Sequence, residues 1–123
     1  RILGYRQDAL EILKCCDYYI SPSLSEGLPI SILEAIASSI PTIATEITGN
    51  TDIICNSVFG ILAEPNSSES LYKAIVKMVQ LNPSEIEVIT RNAFNRVKNN
   101  FSVNEMANQT TLLYNQVLNK KNI

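Results

Sequence analysis

The sequence predicts a three-layer α/β fold built on a parallel sheet. Short runs rich in β-branched and aromatic residues alternate with longer amphipathic segments, and the second half of the chain holds helical patterns alone. Such alternation is typical of parallel strands joined by crossover helices. The strands are fewer than a complete doubly wound domain needs. Because the chain also opens at Arg1 without a methionine, we expect it to be truncated at its N-terminus.

The predicted strands are short apolar or β-branched segments bounded by turn signals, and they cover residues 2–4, 18–21, 41–45 and 59–62. A helix is predicted after Asp8 as its N-cap. A second helix is predicted from the apolar run over residues 30–39, with Pro29 before it at the first helical position. Gly49 and Asn50 mark a turn, and residues 52–54 are expected to form a short helical turn.

Further helices are predicted in the second half of the chain. Asn66 and Glu69 have the spacing of a capping box before the first, and Ser102 and Glu105 repeat it before the last. Pro83 is expected at the first position of the helix between them. The apolar stripes of these helices are most simply core packing. The last helix is the expected exception, because its cover lies in missing sequence; its stripe includes Met106, Leu112, Leu113 and Val117.

Composition favours a single domain over residues 1–123. Apolar residues make up 46% of the chain and charged residues 18%, which is typical of a globular protein. The net charge of −2 gives no electrostatic basis for binding nucleic acid. No apolar run approaches the roughly 20 residues of a membrane span, which leaves a peripheral membrane role open for the full protein.

Cysteine and histidine usage narrows the chemistry. The three cysteines, Cys15, Cys16 and Cys55, are odd in number and two are adjacent, so we expect free thiols in a reducing cytoplasm. The chain has no histidine, which removes histidine acid–base catalysis and most zinc sites.

Residues 21–35 are the segment most informative about function. They run from the carboxyl end of a predicted strand into a helix, which is where ligands bind in open α/β sheets. Free amides and the positive dipole end at a helix start suit a diphosphate. Gly27 allows close approach of ligand or backbone, whereas Pro29 lacks an N–H, so an anion must use neighbouring amides.

Glu34 lies just over one turn into that helix, among residues that are nearly all apolar. A buried carboxylate is costly unless it is paired or hydrogen-bonded, and the vicinal hydroxyls of a ribose would meet that need. Ser31 and Ser38 place a polar strip beside it. The alternative is structural: a solvated helix edge, or capping of nearby amides by Glu26 or Glu34.

Glu26 and Glu34 are separated by seven residues, with Gly27 after the first and Ala35 after the second. This pattern resembles the E-x7-E motif of retaining glycosyltransferases with the GT-B fold, in the large family 4 group. Further segments look like the family's strands and glycine turn, in the same order: residues 16–23, 40–45, 48–54 and 59–62.

By this resemblance the chain is most of a C-terminal, Rossmann-like domain, with the acceptor held by an N-terminal domain that the chain lacks. The resemblance implies transfer from a UDP- or GDP-sugar with retention at the anomeric carbon, without a bound metal or other cofactor. It implies these roles by position: Glu26, as the catalytic residue, contacts hydroxyls of the donor sugar; Gly27 and Leu28 bring backbone near the sugar and phosphates, with Ile30 beside them; Glu34 holds the ribose; Gly49 shapes the site floor; Tyr5 and Arg6 lie near the base.

The family's phosphate-binding basic residues lie upstream of this motif, in a stretch that is absent from this chain, and Arg1 and Arg6 do not match them. We therefore expect the chain alone to be inactive. Pro29 departs from the glycine that many members carry, and the Gly49-Asn50 turn departs from the common pair of glycines. Both features resemble the corresponding motifs of enzymes that look like builders of capsule, O-antigen or exopolysaccharide. This resemblance implies a saccharide or lipid-linked acceptor and a cytoplasmic enzyme. It leaves open peripheral association of the full protein with the inner face of the membrane.

Two other readings stay open at the level of sequence. One is a different GT-B enzyme, such as a nucleotide-sugar epimerase or a sugar phosphorylase. The other is a non-catalytic α/β module of regulatory type. A receiver-like module needs clustered aspartates at strand ends, and Asp8, Asp17 and Asp52 are not arranged that way in the sequence.

Overall fold

The computed structural model describes residues 1–120, so residues 121–123 of the predicted domain lie outside the described residues. The described part alternates strands and helices through its first half and is helical through its second half, as the sequence predicts. The elements are α1 (Ala9–Leu13), β1 (Tyr19–Ser21), α2 (Ile30–Ala37), β2 (Thr42–Thr45), α3 (Asn50–Ile53), β3 (Ile61–Ala63), α4 (Ser68–Gln80), α5 (Pro83–Asn100) and α6 (Val103–Lys120).

The strands form a parallel sheet in the order β1-β2-β3. Ser21 pairs with Ala44, and Thr45 pairs with Ala63, so the carboxyl ends of the strands lie at one edge. The prediction of a parallel α/β fold is confirmed.

Helices cover both faces of the sheet because the strands are apolar on both sides. Ala44 of β2 faces one core cluster, formed with α2, α3 and α5, in which Ile32 and Ile36 are buried. The next residue back, Ile43, faces the opposite cluster, where Met78 of α4 is buried. Successive strand residues point to opposite faces, which gives the predicted three layers.

Helix starts follow the predicted capping signals in two cases. Pro83 is the first residue of α5, and Asn82 and Glu85 form a reciprocal capping box with hydrogen bonds of 3.0 and 2.8 Å. Ser102 Oγ accepts from the Glu105 amide at 3.2 Å before α6.

The predicted cap of α4 is wrong by one residue. Ser67 is the N-cap, and its hydroxyl accepts from the Ser70 amide at 3.1 Å. Asn66 instead adopts a positive φ of 56°, a conformation that asparagine tolerates better than most residues. Asn66 therefore supplies the positive φ that the turn before the helix needs, and the hydroxyl of Ser67 caps the helix.

Other boundaries also differ from the prediction. Residues 2–4 form no strand in the described structure, since no neighbouring strand pairs with them, and Ile2 is 98% exposed. Asp8 makes no side-chain cap to α1 because its carboxylate binds Arg6. Pro29 occupies the N-cap position of α2, one residue before the predicted one. Strand β3 begins at Ile61, two residues after the start of the strand predicted over residues 59–62.

The apolar stripe of α6 does not enter the core. Met106 is 64% exposed and Leu113 is 58% exposed, and the side chains of Leu112 and Val117 are also exposed. Within residues 1–120 the stripe of α6 therefore lies outside the core, as expected for the one helix that the sequence marks as an exception.

Candidate functional site at the carboxyl edge of the sheet

Two connecting segments meet beyond the carboxyl ends of β1 and β2. Pro22 follows β1 directly and cannot donate to a sheet ladder, so the chain leaves the sheet there. Residues 22–29 then cross the sheet edge and enter α2, while residues 46–49 leave β2 and enter α3. The position is the one where open α/β sheets bind their ligands.

Glu26 is held by a short line of hydroxyls that starts in β1. Ser23 Oγ donates to Glu26 Oε1 at 2.7 Å, and Ser21 Oγ lies 3.3 Å from Ser23 Oγ. An ionised carboxylate can only accept, so the single hydroxyl proton of Ser23 is committed to Glu26. Ser21, which is buried, must then donate to Ser23.

Gly27 lies directly against the turn that follows β2. Gly49 has a φ of +90°, and a Cβ on it would stand 2.2 Å from the Gly27 carbonyl oxygen. No side chain fits in that space, and only glycine adopts this φ without strain. The structure therefore places Gly49 directly against the loop that carries Glu26.

Asn50 and Thr45 fasten the same turn to the same loop. Thr45 Oγ1 donates to the Ser23 carbonyl oxygen at 2.5 Å. Asn50 Nδ2 donates to the Thr45 carbonyl oxygen at 2.8 Å and to Thr45 Oγ1 at 3.2 Å. Both side chains are buried, and within the described residues Asn50 Oδ1 has no hydrogen-bond partner.

Glu34 lies on the exposed surface of α2. Its carboxylate makes no hydrogen bond or ion pair with the part of the chain that the structure describes. The cost of burying it therefore does not arise, and its oxygens are free to accept from a ligand. Leu28 is 48% exposed and Ile30 is 58% exposed at the start of the same helix, so the predicted site segment forms an open surface.

Tyr5 and Arg6 lie before α1. Tyr5 is 92% exposed. Arg6 holds the Asp8 carboxylate through two hydrogen bonds of 2.7 and 2.5 Å. This contact lowers the pKa of Asp8 and raises that of Arg6. The guanidinium is thus already engaged, and a ligand that uses it must share it with Asp8 or displace Asp8.

One cavity lies at this edge of the sheet, and a larger one lies away from it. A cleft of about 400 Å³ opens between the loop after β1 and the start of α4, with Thr45, Leu24 and Glu64 among its lining residues. A larger cavity of about 470 Å³ lies by Val58 and Val88, and none of the predicted site residues lines it. The polar edge, rather than the larger cavity, therefore carries the candidate chemistry.

Residues 1–120 contain neither a metal-binding cluster of side chains nor a membrane-spanning helix. No group of three cysteine, aspartate or glutamate side chains there is arranged to hold a metal ion. No helix in that range has the length and apolar character needed to cross a bilayer.

Sequence reasoning predicted that Glu26, Gly27 and Gly49 lie at this edge of the sheet, but it did not predict the contacts that Thr45 and Asn50 make there. Thr45 reads as an ordinary β-branched strand residue, and Asn50 as a turn residue. The signal for Thr45 was its position at the carboxyl end of a buried strand, where a polar side chain needs a partner. Asn50 had no such signal, because it is the first residue of α3.

The parallel sheet, its two helical layers and the polar carboxyl edge define a Rossmann-like α/β class, and the solved structures that resemble it are GT-B glycosyltransferases. The family model described as glycosyl transferases group 1 matches residues 1–81. The chain belongs to this family.

Individual relatives agree with this assignment. The UDP-Gal:alpha-D-GlcNAc-diphosphoundecaprenol alpha-1,3-galactosyltransferase of Escherichia coli is 33% identical over 120 residues, which are 97% of this chain and 30% of that protein. A glycosyltransferase from Rickettsia africae ESF-5 is similar in structure, with a TM-score of 0.87 and 31% identity, over 96% of this chain and 32% of that one.

Anabaena Alr3699/HepE, solved in complex with UDP and glucose, shares the fold with a TM-score of 0.82 at 23% identity, over 94% of this chain and 32% of that one. The chain therefore spans about a third of the length of these proteins.

Proposed function

We propose that this chain is the donor-binding part of a longer glycosyltransferase, which transfers a sugar from a UDP- or GDP-sugar with retention and without a metal. The observation that carries the proposal is the joint placement of Glu26 and Glu34. Glu26 is held by Ser23 at the carboxyl edge of the sheet, and Glu34 is exposed on the helix that begins there. Residues 1–123 are proposed to belong to one domain, and to form only part of the C-terminal, nucleotide-sugar-binding domain of the longer protein.

The first turn of α2 supplies the diphosphate contacts in this proposal. The first amides of a helix have no partner within the helix, and the helix dipole favours an anion at that end. Pro29 at the N-cap position lacks an N–H. The amides of Ile30 and of the exposed Gly27 and Leu28 are therefore the ones offered to the donor.

Each acidic residue has its own role. Glu34 accepts hydrogen bonds from the vicinal ribose hydroxyls, and Glu26 accepts from hydroxyls of the transferred sugar, while Gly49 supports the loop from below. Tyr5 and Arg6 are assigned to the side of the base. The departing diphosphate needs positive charge from basic residues outside this segment, so the chain alone is inactive.

The acceptor is proposed to be a saccharide or a lipid-linked sugar, bound by a separate acceptor domain. The name of the E. coli relative supports this, since its acceptor is a sugar on diphosphoundecaprenol. With such an acceptor, the proposed location is the cytoplasm, with peripheral association at the inner face of the membrane, and the proposed pathway is surface polysaccharide synthesis. No contact with nucleic acid is proposed, because the net charge is −2.

The experiment uses the full enzyme that contains this chain and measures its Kd for UDP and UDP-galactose by calorimetry, with transfer of labelled galactose as the second readout. We expect Glu34→Ala to weaken both ligands by about tenfold, and Glu26→Ala to weaken UDP-galactose more than UDP. Glu87→Ala, on the exposed surface of α5, is the matched control.

Wild-type affinity and rate in both variants would refute the assigned roles. Conversion of the free donor to its epimer, or phosphorolysis of a glycan, would identify a different GT-B enzyme. A full protein that binds neither UDP- nor GDP-sugars would be a regulatory module instead.

A further inference from the structure

Ser23 is the side chain that hydrogen-bonds Glu26 in the described structure. Its hydroxyl donates to Oε1 at 2.7 Å, and both side chains are partly buried. A carboxylate has about four acceptor positions, so one bond to Oε1 leaves Oε2 and part of Oε1 open. The bond therefore fixes the direction of the carboxylate without using up its capacity for a ligand.

Ser23 is itself fixed from the neighbouring strand. Thr45 Oγ1 donates its only proton to the Ser23 carbonyl oxygen, so it must act as the acceptor towards Asn50 Nδ2, 3.2 Å away. The amide orientation of Asn50 follows, because the opposite flip would set its oxygen against the Thr45 carbonyl oxygen. Asn50 thus donates to Thr45, and Thr45 donates to the Ser23 carbonyl oxygen, which fixes the backbone of the residue whose hydroxyl donates to Glu26.

The same turn also supports the far side of Glu26. Gly49, the residue before Asn50, packs against the carbonyl oxygen of Gly27, the residue after Glu26. The loop is therefore held at residues 23 and 27, on both sides of the carboxylate. A flexible glutamate side chain loses rotamer entropy when it is ordered, and in this arrangement that loss is incurred before a ligand arrives.

We propose that Ser23 is a positioning residue, which holds the Glu26 carboxylate in the direction needed to accept hydroxyls of the transferred sugar. The proposal rests on the proposed function above and extends it. It assigns to Ser23 an effect on the sugar part of the donor alone, because Glu34 and the α2 amides serve the nucleotide.

The test compares Kd values for UDP-galactose and UDP in the full enzyme, with UDP as the internal reference. We expect Ser23→Ala to weaken UDP-galactose by about tenfold and to leave UDP within about twofold. Ser23→Thr keeps a hydroxyl donor and is expected to restore most of the difference. Ser25→Ala changes an exposed serine of the same loop and is expected to change neither Kd.

The outcomes separate the two proposals. If Glu26→Ala weakens UDP-galactose selectively and Ser23→Ala does not, the positioning role is wrong and the proposed function stands. An equal loss for UDP and UDP-galactose in Ser23→Ala would also overturn the positioning role, because it indicates general disruption of the loop.

If Glu26→Ala itself has no selective effect, or the wild type binds neither UDP- nor GDP-sugars in the same assay, the proposed function fails and the inference fails with it. Should Ser23→Ala not fold, Ser23→Cys keeps the size of the side chain with a much weaker donor and decides the question in the same assay.

Discussion

Gly49 and Gly27, on different loops, are in backbone contact. A Cβ on Gly49 would lie 2.2 Å from the Gly27 carbonyl oxygen and 3.2 Å from that of Glu26. Real Cβ atoms do not approach a backbone oxygen so closely, so the two loops meet only if residue 49 lacks a side chain. The turn after β2 and the loop after β1 are therefore a single support for Glu26.

Gly49→Ala should destabilise the chain severely. The substitution places a methyl group inside a backbone contact and also forces a non-glycine residue to a φ of +90°. The strained backbone alone costs about 1–3 kcal/mol, and displacement of the Gly27 loop adds to that. The free energy of unfolding, measured in urea, should fall by roughly 3 kcal/mol or more.

Gly4→Ala is the matched control for this effect. Gly4 also has a positive φ, of +68°, but nothing lies within 4 Å of a Cβ built on it. It should lose only the strain term, about 1–2 kcal/mol at most. Equal losses at the two glycines would show that the contact with Gly27 contributes nothing to stability.

Thr45→Val should also destabilise the fold while keeping the shape of the side chain. The hydroxyl of Thr45 is buried, donates to the Ser23 carbonyl oxygen and accepts from Asn50. Its loss leaves those groups short of a partner, at a cost of about 1–3 kcal/mol in the free energy of unfolding. Thr48→Val, in the exposed part of the turn, should change it by less than about 0.5 kcal/mol; a neutral Thr45→Val would contradict the network.

Much of the fold could be predicted because each strand and helix has a local signal. Pro22 ends β1, Pro83 begins α5, and runs such as Ile43 with Ala44 are apolar on both faces. The exceptions have physical reasons. Residues 2–4 look like a strand but have no described partner to pair with. Ser67 rather than Asn66 caps α4, because both residue types suit either position and only the backbone turn decides between them.

The candidate site was predictable only as a set of separate residues. Spacing placed Glu26 and Glu34 on either side of a helix start, and that is where they lie. It could not show that Thr45 donates to the Ser23 carbonyl oxygen, or that Gly49 packs against Gly27, because those contacts depend on how two loops cross the sheet edge. Three-dimensional proximity between chain segments about 20 residues apart leaves no local pattern.

Ser67→Ala should shorten or weaken the start of α4. Its hydroxyl satisfies the amide of Ser70, which no helical carbonyl can reach. Loss of such a cap costs about 1 kcal/mol, visible in the urea midpoint. Ser68→Ala, the first exposed residue of the helix, should be near neutral. If Ser68→Ala cost as much as Ser67→Ala, the cap assignment would be wrong.

The Arg6–Asp8 pair should give Asp8 a measurable pH response. The Arg6 hydrogen bond lowers the pKa of Asp8 below its ordinary value of 3.8. A carboxyl whose pKa is lower in the folded state adds stability above its unfolded pKa, and this is lost as the pH falls through the lower folded value. NMR titration of the Asp8 carboxyl should show its midpoint rising in Arg6→Gln. An unchanged midpoint would mean that the pair does not form in solution, and Arg6 would then be free for a ligand.

The exposed stripe of α6 should contribute little to the stability of this chain. Leu113 is 58% exposed and Met106 is 64% exposed, so a polar replacement removes little buried apolar area. Leu113→Ser should change the free energy of unfolding by less than about 0.5 kcal/mol. Ile36→Ala truncates a core side chain that is only 2% exposed and leaves a cavity, so it should cost about 2–5 kcal/mol in the same measurement. A loss at Leu113 comparable to that at Ile36 would show that α6 packs against the rest of the chain in solution.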